Sequence, residues 1–167
     1  MKAVVVYESL WGNTAAVARA IAEGIGEGAA ALSTSAAVGA AIEGADLIVA
    51  GAPLLGFTLP TEQMRAGIAK TPPAGPAPDL SAPSMREWMA GLSSGSAGFA
   101  AFETRIWWSP GSAPKHIAAA LTAKGYRKVA APERFLVTGR TGPLKDGELG
   151  RARAWGATLA SIGEATA

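Results

Sequence analysis

The sequence predicts an α/β fold: a doubly wound, five-stranded parallel sheet with helices on both faces. Three observations carry this expectation. Short apolar runs alternate five times with segments of helical spacing, as in a parallel sheet whose crossovers are helices. The strongest runs, Ala3–Tyr7 (AVVVY) and 46–51 (DLIVAG), lack polar alternation, as strands buried on both faces do. The chain has 167 residues, which fits a single domain, 1–167, of the usual size of roughly 100–200.

The first strand covers residues 3–7. Asn13 and Thr14 then cap a helix that carries Val17, Ile21 and Ile25 at i, i+4 and i+8, and Gly24, Gly26 and Gly28 read as its stop signals. Residues 30–33 form a weak second strand, and 36–43 a short helix of poor apolar content. The third strand is 46–51. Pro60 can open a helix containing Met64 and Ile68. Residues 71–83 hold five prolines and read as a loop. A short helix spans 85–92 and a fourth strand 98–102. Ser112 and Pro114 start a helix with Ile117 and Leu121 inward, closed by Gly125. The fifth strand, 129–137, is broken near Pro132. A last helix, 146–162, places Leu149, Trp155, Leu159 and Ile162 on one side. Right-handed crossovers leave few topologies for this order.

Composition excludes several kinds of chemistry. The chain has no cysteine and one histidine, which removes disulfides, thiolate metal sites, a catalytic thiol and a multi-histidine metal centre. The net charge is +2, which does not point to nucleic acid. The charge is uneven: residues 1–64 carry two basic and six acidic groups, whereas 65–167 carry thirteen and seven. No apolar run approaches the roughly 18 residues of a membrane helix, and the N-terminal run is too short for a signal peptide. The expectation is a soluble cytoplasmic protein with no membrane insertion.

In a doubly wound sheet, ligands bind beyond the carboxyl ends of the strands. The loop after the first strand reads Glu8-Ser9-Leu10-Trp11-Gly12-Asn13-Thr14. A hydroxyl, a glycine and Asn-Thr at a helix start suit a phosphate, because the backbone N–H groups there are unpaired and the helix dipole favours an anion. Gly12 permits close approach of the backbone. No lysine or arginine lies between Lys2 and Arg19, so local dipoles alone would hold the anion. The lysine-bearing nucleoside-triphosphate loop and the dinucleotide glycine pattern are both absent. An ordinary strand-to-helix turn with an Asn-Thr cap accounts for the same residues equally well.

The string VVVYESLWGNTAAVARAI resembles the first strand, FMN phosphate loop and first helix of the flavodoxin-like family. DLIVAGAPLLGFTLP resembles its third strand and the loop over one flavin face. FAAFETR with Ile106–Gly111 resembles the fourth strand and the loop on the other face. The closing FLVTGRTGPLKDGELGRARAWGATLA resembles flavodoxin-domain proteins of the actinobacterial type. The likeness spans nearly the whole chain in order, and implies strand order 2-1-3-4-5 and noncovalent FMN. The cofactor-binding residues it implies are Ser9, Leu10, Trp11, Gly12, Asn13, Thr14, Pro53, Leu54, Leu55, Gly56, Phe57, Glu103, Thr104, Trp107, Trp108 and Gly111. No catalytic residue or metal ligand is expected. Leu10 and Trp11 stand where many members have phosphate-binding threonines, Leu54 and Leu55 where threonine and an aromatic are common, and Gly56-Phe57 reverses a frequent order.

On this reading Leu54, Leu55 and Phe57 offer one face to the flavin ring, and Trp107 and Trp108 the other. Trp11 either covers the cofactor or packs on the sheet edge. A backbone group near Gly56 can exchange hydrogen bonds with the flavin N5. Trp88 and Trp155 fit the core, and His116 the surface. Glu8 and Glu103 fall near strand ends, as solvated or capping carboxylates. Lys145, Arg151 and Arg153 form a solvated helix face. Ser9 lacks the glycine-flanked elbow of a hydrolase. A phosphoacceptor receiver is set aside, since residues 50–52 (Ala-Gly-Ala) lack its aspartate.

The resulting expectation is an FMN-binding redox protein that exchanges electrons with a protein partner or a small acceptor. An electron carrier and a reductase of quinone-like molecules are not separated. The basic second half implies a less negative potential than that of an acidic carrier. The alternative keeps the fold without flavin, as an interaction or ligand-sensing module, and is favoured by Leu10, Trp11 and Leu54 replacing hydroxyl donors.

Overall fold

A computed structural model describes residues 1–165. The elements follow as β1 (Ala3–Tyr7), α1 (Asn13–Ile25), β2 (Ala29–Ser33), β3 (Leu47–Pro53), α2 (Glu62–Lys70), α3 (Met85–Gly91), β4 (Gly98–Arg105), α4 (Ala113–Ala123), β5 (Arg127–Lys128), β6 (Glu133–Leu136) and α5 (Glu148–Ala165). The sheet runs β2-β1-β3-β4-β5, with β6 also pairing β4. Every one of these pairings is parallel. This is the flavodoxin-like order.

Alternation along the central strands divides the core in two. Val4, Val6, Ile48, Ala50, Phe99 and Ala101 pack toward Trp88 of α3 and Ile117 and Leu121 of α4. Ala3, Val5, Leu47, Val49, Ala100 and Phe102 pack toward Val17 and Ile21 of α1 and Leu159 of α5. On this second side a Cβ at Gly24 would collide with the Arg153 carbonyl, and one at Gly156 with the Ile21 carbonyl. Gly24 is therefore an interior residue of α1 that lets α5 approach, not the stop signal its spacing suggests; Gly26 caps the helix.

Other elements differ from the sequence expectation. The helix expected over 36–43 is a single 3₁₀ turn, Gly39–Ala41, with no buried residue; Ala37 and Ile42 on either side reach the core, but Val38 is extended and Gly39 takes φ +52° between them, which interrupts a longer helix. The fifth strand is two pieces on either side of Pro132, which has no N–H to give a ladder. Helix α2 is capped by the Thr61 hydroxyl, which accepts from the Met64 N–H at 3.1 Å, so Pro60 lies outside it. Leu149 is 37% exposed, because α5 turns Ala152, Trp155 and Leu159 to the core instead. Trp155 packs edge-on against Phe102 and Phe135, with ring centroids 6.4 and 6.2 Å away. Trp88 is buried and its indole N–H donates to the Ala37 carbonyl at 2.7 Å.

Candidate functional site

The carboxyl ends of β1, β3 and β4 open into a cleft of about 920 Å³, within the size range of small-molecule sites. Loop 1, residues 8–14, forms its inner wall. The Glu8 N–H donates to the Gly51 carbonyl at 3.0 Å, and Gly12 takes φ +88°, a conformation that favours glycine. The turn brings the Ser9 hydroxyl under α1, where it accepts from the N–H groups of Gly12 (3.1 Å) and Ala15 (3.2 Å). Among the described residues, the N–H groups of Trp11, Asn13 and Thr14 meet no protein acceptor. Thr14 Oγ1 and Thr104 Oγ1 share a buried hydrogen bond of 2.8 Å that braces α1 against the end of β4.

Two distant segments clasp this loop. The proline-rich strap after α2 is docked, not merely connecting: the Asp79 N–H donates to the Leu10 carbonyl at 2.8 Å, and the Trp11 indole N–H donates to the Pro76 carbonyl at 3.2 Å. Residues 71–76 and Pro78 line the cleft. From the other side, the Asn13 side-chain amide donates to the Thr141 carbonyl at 3.1 Å. The neighbouring Arg140 lies with its guanidinium carbon 5.7 Å from the Trp11 ring centroid.

The two carboxylates at strand ends are buried, so the solvated alternative fails for both. Each meets the first N–H of a helix. Glu8 accepts from Met85 of α3 at 2.9 Å and from the Arg65 guanidinium at 2.7 Å. Arg65 in turn donates to the carbonyls of Leu80 and Ala82 in the strap. Burial pushes the Glu8 carboxyl above the usual carboxylate range, against the pull of the Met85 N–H and Arg65. Glu103 accepts from the Ala113 N–H of α4 and from Arg105, both at 2.8 Å.

The outer wall consists of two loops. Leu55 and Thr58 exchange backbone hydrogen bonds of 3.0 and 3.1 Å around Gly56 (φ +53°) and Phe57 (φ +68°). Two left-handed central residues make a tight hairpin of the I′ kind. Phe57 is the only non-glycine residue at positive φ among the described residues. In the 105–111 loop, Arg105 holds the Gly111 carbonyl at 3.0 Å. Gly111 packs so closely on the Phe57 carbonyl that a Cβ would collide with it. His116 is exposed, and its Nε2 shares a 2.9 Å hydrogen bond with the Thr58 hydroxyl. Partial desolvation first, then Arg86 and Lys115, hold its pKa below the ordinary histidine value.

Of the residues singled out from the sequence, Leu10, Trp11, Asn13, Thr14, Pro53, Leu54, Leu55, Gly56, Phe57 and Thr104 line the cleft. Ser9 and Gly12 shape loop 1 from behind. Glu103 is sealed beneath the site, and Gly111 buttresses the hairpin. Trp107 and Trp108 are not part of the lining and stand 68% and 60% exposed. Sequence reasoning missed Met64 and Ile68 of α2 as lining residues, Ile106, and the turn that carries Arg140 and Thr141, and it left open whether the 71–83 loop closes over the site or merely connects elements. The only local signal for that turn is its glycine bracketing, Gly139 and Gly142.

Neither a protein-family model nor a curated protein sequence matches the chain. Solved structures do. A flavodoxin from the Archaea superposes with TM-score 0.66 at 22% identity, covering 98% of this chain and 99% of that one. Flavodoxin 1 from Bacillus cereus gives 0.66 at 20%, covering 96% and 98%. A WrbA-like flavodoxin from Agrobacterium tumefaciens gives 0.62 at 19%, covering 98% of each. At such identities the likeness establishes the flavodoxin-like fold. No helix among the described residues is long and apolar enough to cross a membrane.

Proposed function

We propose that this chain, acting as one domain, is a flavodoxin-like redox protein that binds FMN noncovalently in the cleft described above. It would exchange electrons with a protein partner or a small acceptor. The observation that carries the reading is the pairing of free N–H groups at the start of α1 with an apolar slot opening directly beside them. Trp11, Asn13 and Thr14 would hold the phosphate through their N–H groups. Pro53, Leu54, Leu55, Phe57 and Ile106 offer apolar surface for a flat ring, and the Gly56 turn places exposed backbone at the slot's edge. FMN would supply the redox chemistry, and the protein the binding and the electrostatics. Arg105 is neutralised by Glu103, whereas Arg140 has no carboxylate partner among the described residues. The net field therefore favours a reduced, anionic cofactor and a less negative potential than that of an acidic carrier. The cytoplasmic placement and the actinobacterial likeness of the closing segment belong to the same reading.

One observation favours the alternative of a flavin-free module: the Ser9 hydroxyl is occupied with Gly12 and Ala15, and Leu10 and Trp11 add no hydroxyl. The test is a visible spectrum of the purified protein, before and after adding FMN and desalting. Flavin bands retained near one equivalent support the redox reading. A colourless protein after desalting refutes it and brings the binding module forward.

A further inference from the structure

Loop 1 contains no cation of its own, yet the fold delivers one to it. Arg140 sits on a closed turn between β6 and α5. The Thr138 N–H and hydroxyl both donate to the Pro143 carbonyl, at 2.8 and 3.0 Å. The Gly142 N–H donates to Gly139 at 3.0 Å, and Val137 bridges Leu144. The turn is fastened to loop 1 by the Asn13–Thr141 hydrogen bond. It also packs so tightly that a Cβ on Gly142 would strike the Asn13 side chain. Arg140 is thus placed by backbone geometry and rests on Trp11, whose own orientation is set by its hydrogen bond to Pro76.

The two arginines of the cleft differ in one respect. Arg105 is buried and spent on Glu103 and Gly111. Arg140 is exposed, and among the described residues no carboxylate or carbonyl takes its donors. A guanidinium held on an indole face keeps its charge and its planar fork of donors available, and that fork matches the oxygens of a phosphate. It lines the same cleft as the free N–H groups of Trp11, Asn13 and Thr14.

We infer that Arg140, seated on Trp11, is the cation of the phosphate subsite and makes the site select a phosphorylated over an unphosphorylated ligand. It takes the place of the hydroxyls absent at positions 10 and 11. The identity of the ligand as FMN rests on the function proposed above; the anion site does not. The experiment is a fluorescence-quenching titration of FMN and of riboflavin with the wild-type protein, Arg140→Gln and Arg140→Lys, at low and moderate salt. The inference expects Arg140→Gln to weaken FMN about tenfold, the scale of one charge-assisted hydrogen bond. Riboflavin is unchanged, the salt dependence of FMN binding becomes shallower, and Arg140→Lys recovers part of the loss. Equal weakening of FMN and riboflavin shows that Arg140 acts only by packing on Trp11 and overturns the inference, as does no change in either. If the wild-type protein binds no flavin, the proposed function fails by itself. Inorganic phosphate followed by phosphorus NMR line width then decides the anion site: binding abolished in Arg140→Gln upholds it, and no binding overturns it.

Discussion

Loop 1 is tied to segments far away in sequence: the strap through Leu10 and Trp11, the 138–143 turn through Asn13, β4 through the Thr14–Thr104 pair, and α2 and α3 through Glu8 with Arg65 and Met85. The outer wall is held by the Leu55–Thr58 exchange, by His116 and Arg86 on the Thr58 hydroxyl and by the Leu54 N–H on the Thr104 carbonyl, and it carries three large exposed aromatics, Phe57, Trp107 and Trp108. Under the proposed function, the difference separates two tasks. An anion end needs fixed N–H groups, since a donor that must first be ordered loses much of its binding energy. A flat apolar ring needs only surface, which a looser loop can supply.

Removing the buried guanidinium should break the inner wall most severely. Arg65→Ala leaves Glu8 buried without its ion partner and the Leu80 and Ala82 carbonyls without their donor. The expected cost is about 3 kcal/mol by urea unfolding, the scale for breaking a buried ion pair. A loss below about 1 kcal/mol would mean that the strap does not depend on this anchor.

A smaller effect is expected in the outer hairpin. At φ +68° a side chain is strained, and left-handed backbone costs roughly 1–2 kcal/mol without glycine. Phe57→Gly should therefore be about 1 kcal/mol more stable than Phe57→Ala in thermal unfolding, although glycine loosens the unfolded chain. Equal stability of the two variants would show that the turn relaxes in solution.

The smallest effect is expected at the exposed tryptophans. Trp107→Ala and Trp108→Ala should each change stability by less than about 0.5 kcal/mol, as surface substitutions do. FMN affinity should change less than about twofold, since neither ring lines the cleft. A tenfold fall in affinity would mean that the 105–111 loop folds over the ligand, and the contrast between the walls would then be one of state rather than of construction.

The sheet was legible because the signals for β1, β3 and β4 are local: continuous apolar runs have no stable place except between two layers of helices. At the start of α1 the expected Asn13–Thr14 cap does not form: Gly12 takes the N-cap position with no side-chain cap, and the Asn13 and Thr14 side chains bond Thr141 and Thr104 instead. Residues 36–43 hold no longer helix because an extended Val38 and a left-handed Gly39 separate Ala37 from Ile42, the two residues that reach the core. Gly24 was misread because its role depends on the Arg153 carbonyl of another helix.

By itself, then, the sequence determined the fold class and pointed to the strand ends where the cleft opens, both of which follow from periodicity and nearest-neighbour chemistry. Only the tertiary structure decided which carboxylates are buried, where the proline-rich strap lies, that Trp107 and Trp108 face solvent, and that Arg140 stands over Trp11. Those outcomes depend on contacts between residues that are remote along the chain, set by how the packed helices aim their connecting loops, and no local pattern encodes that direction.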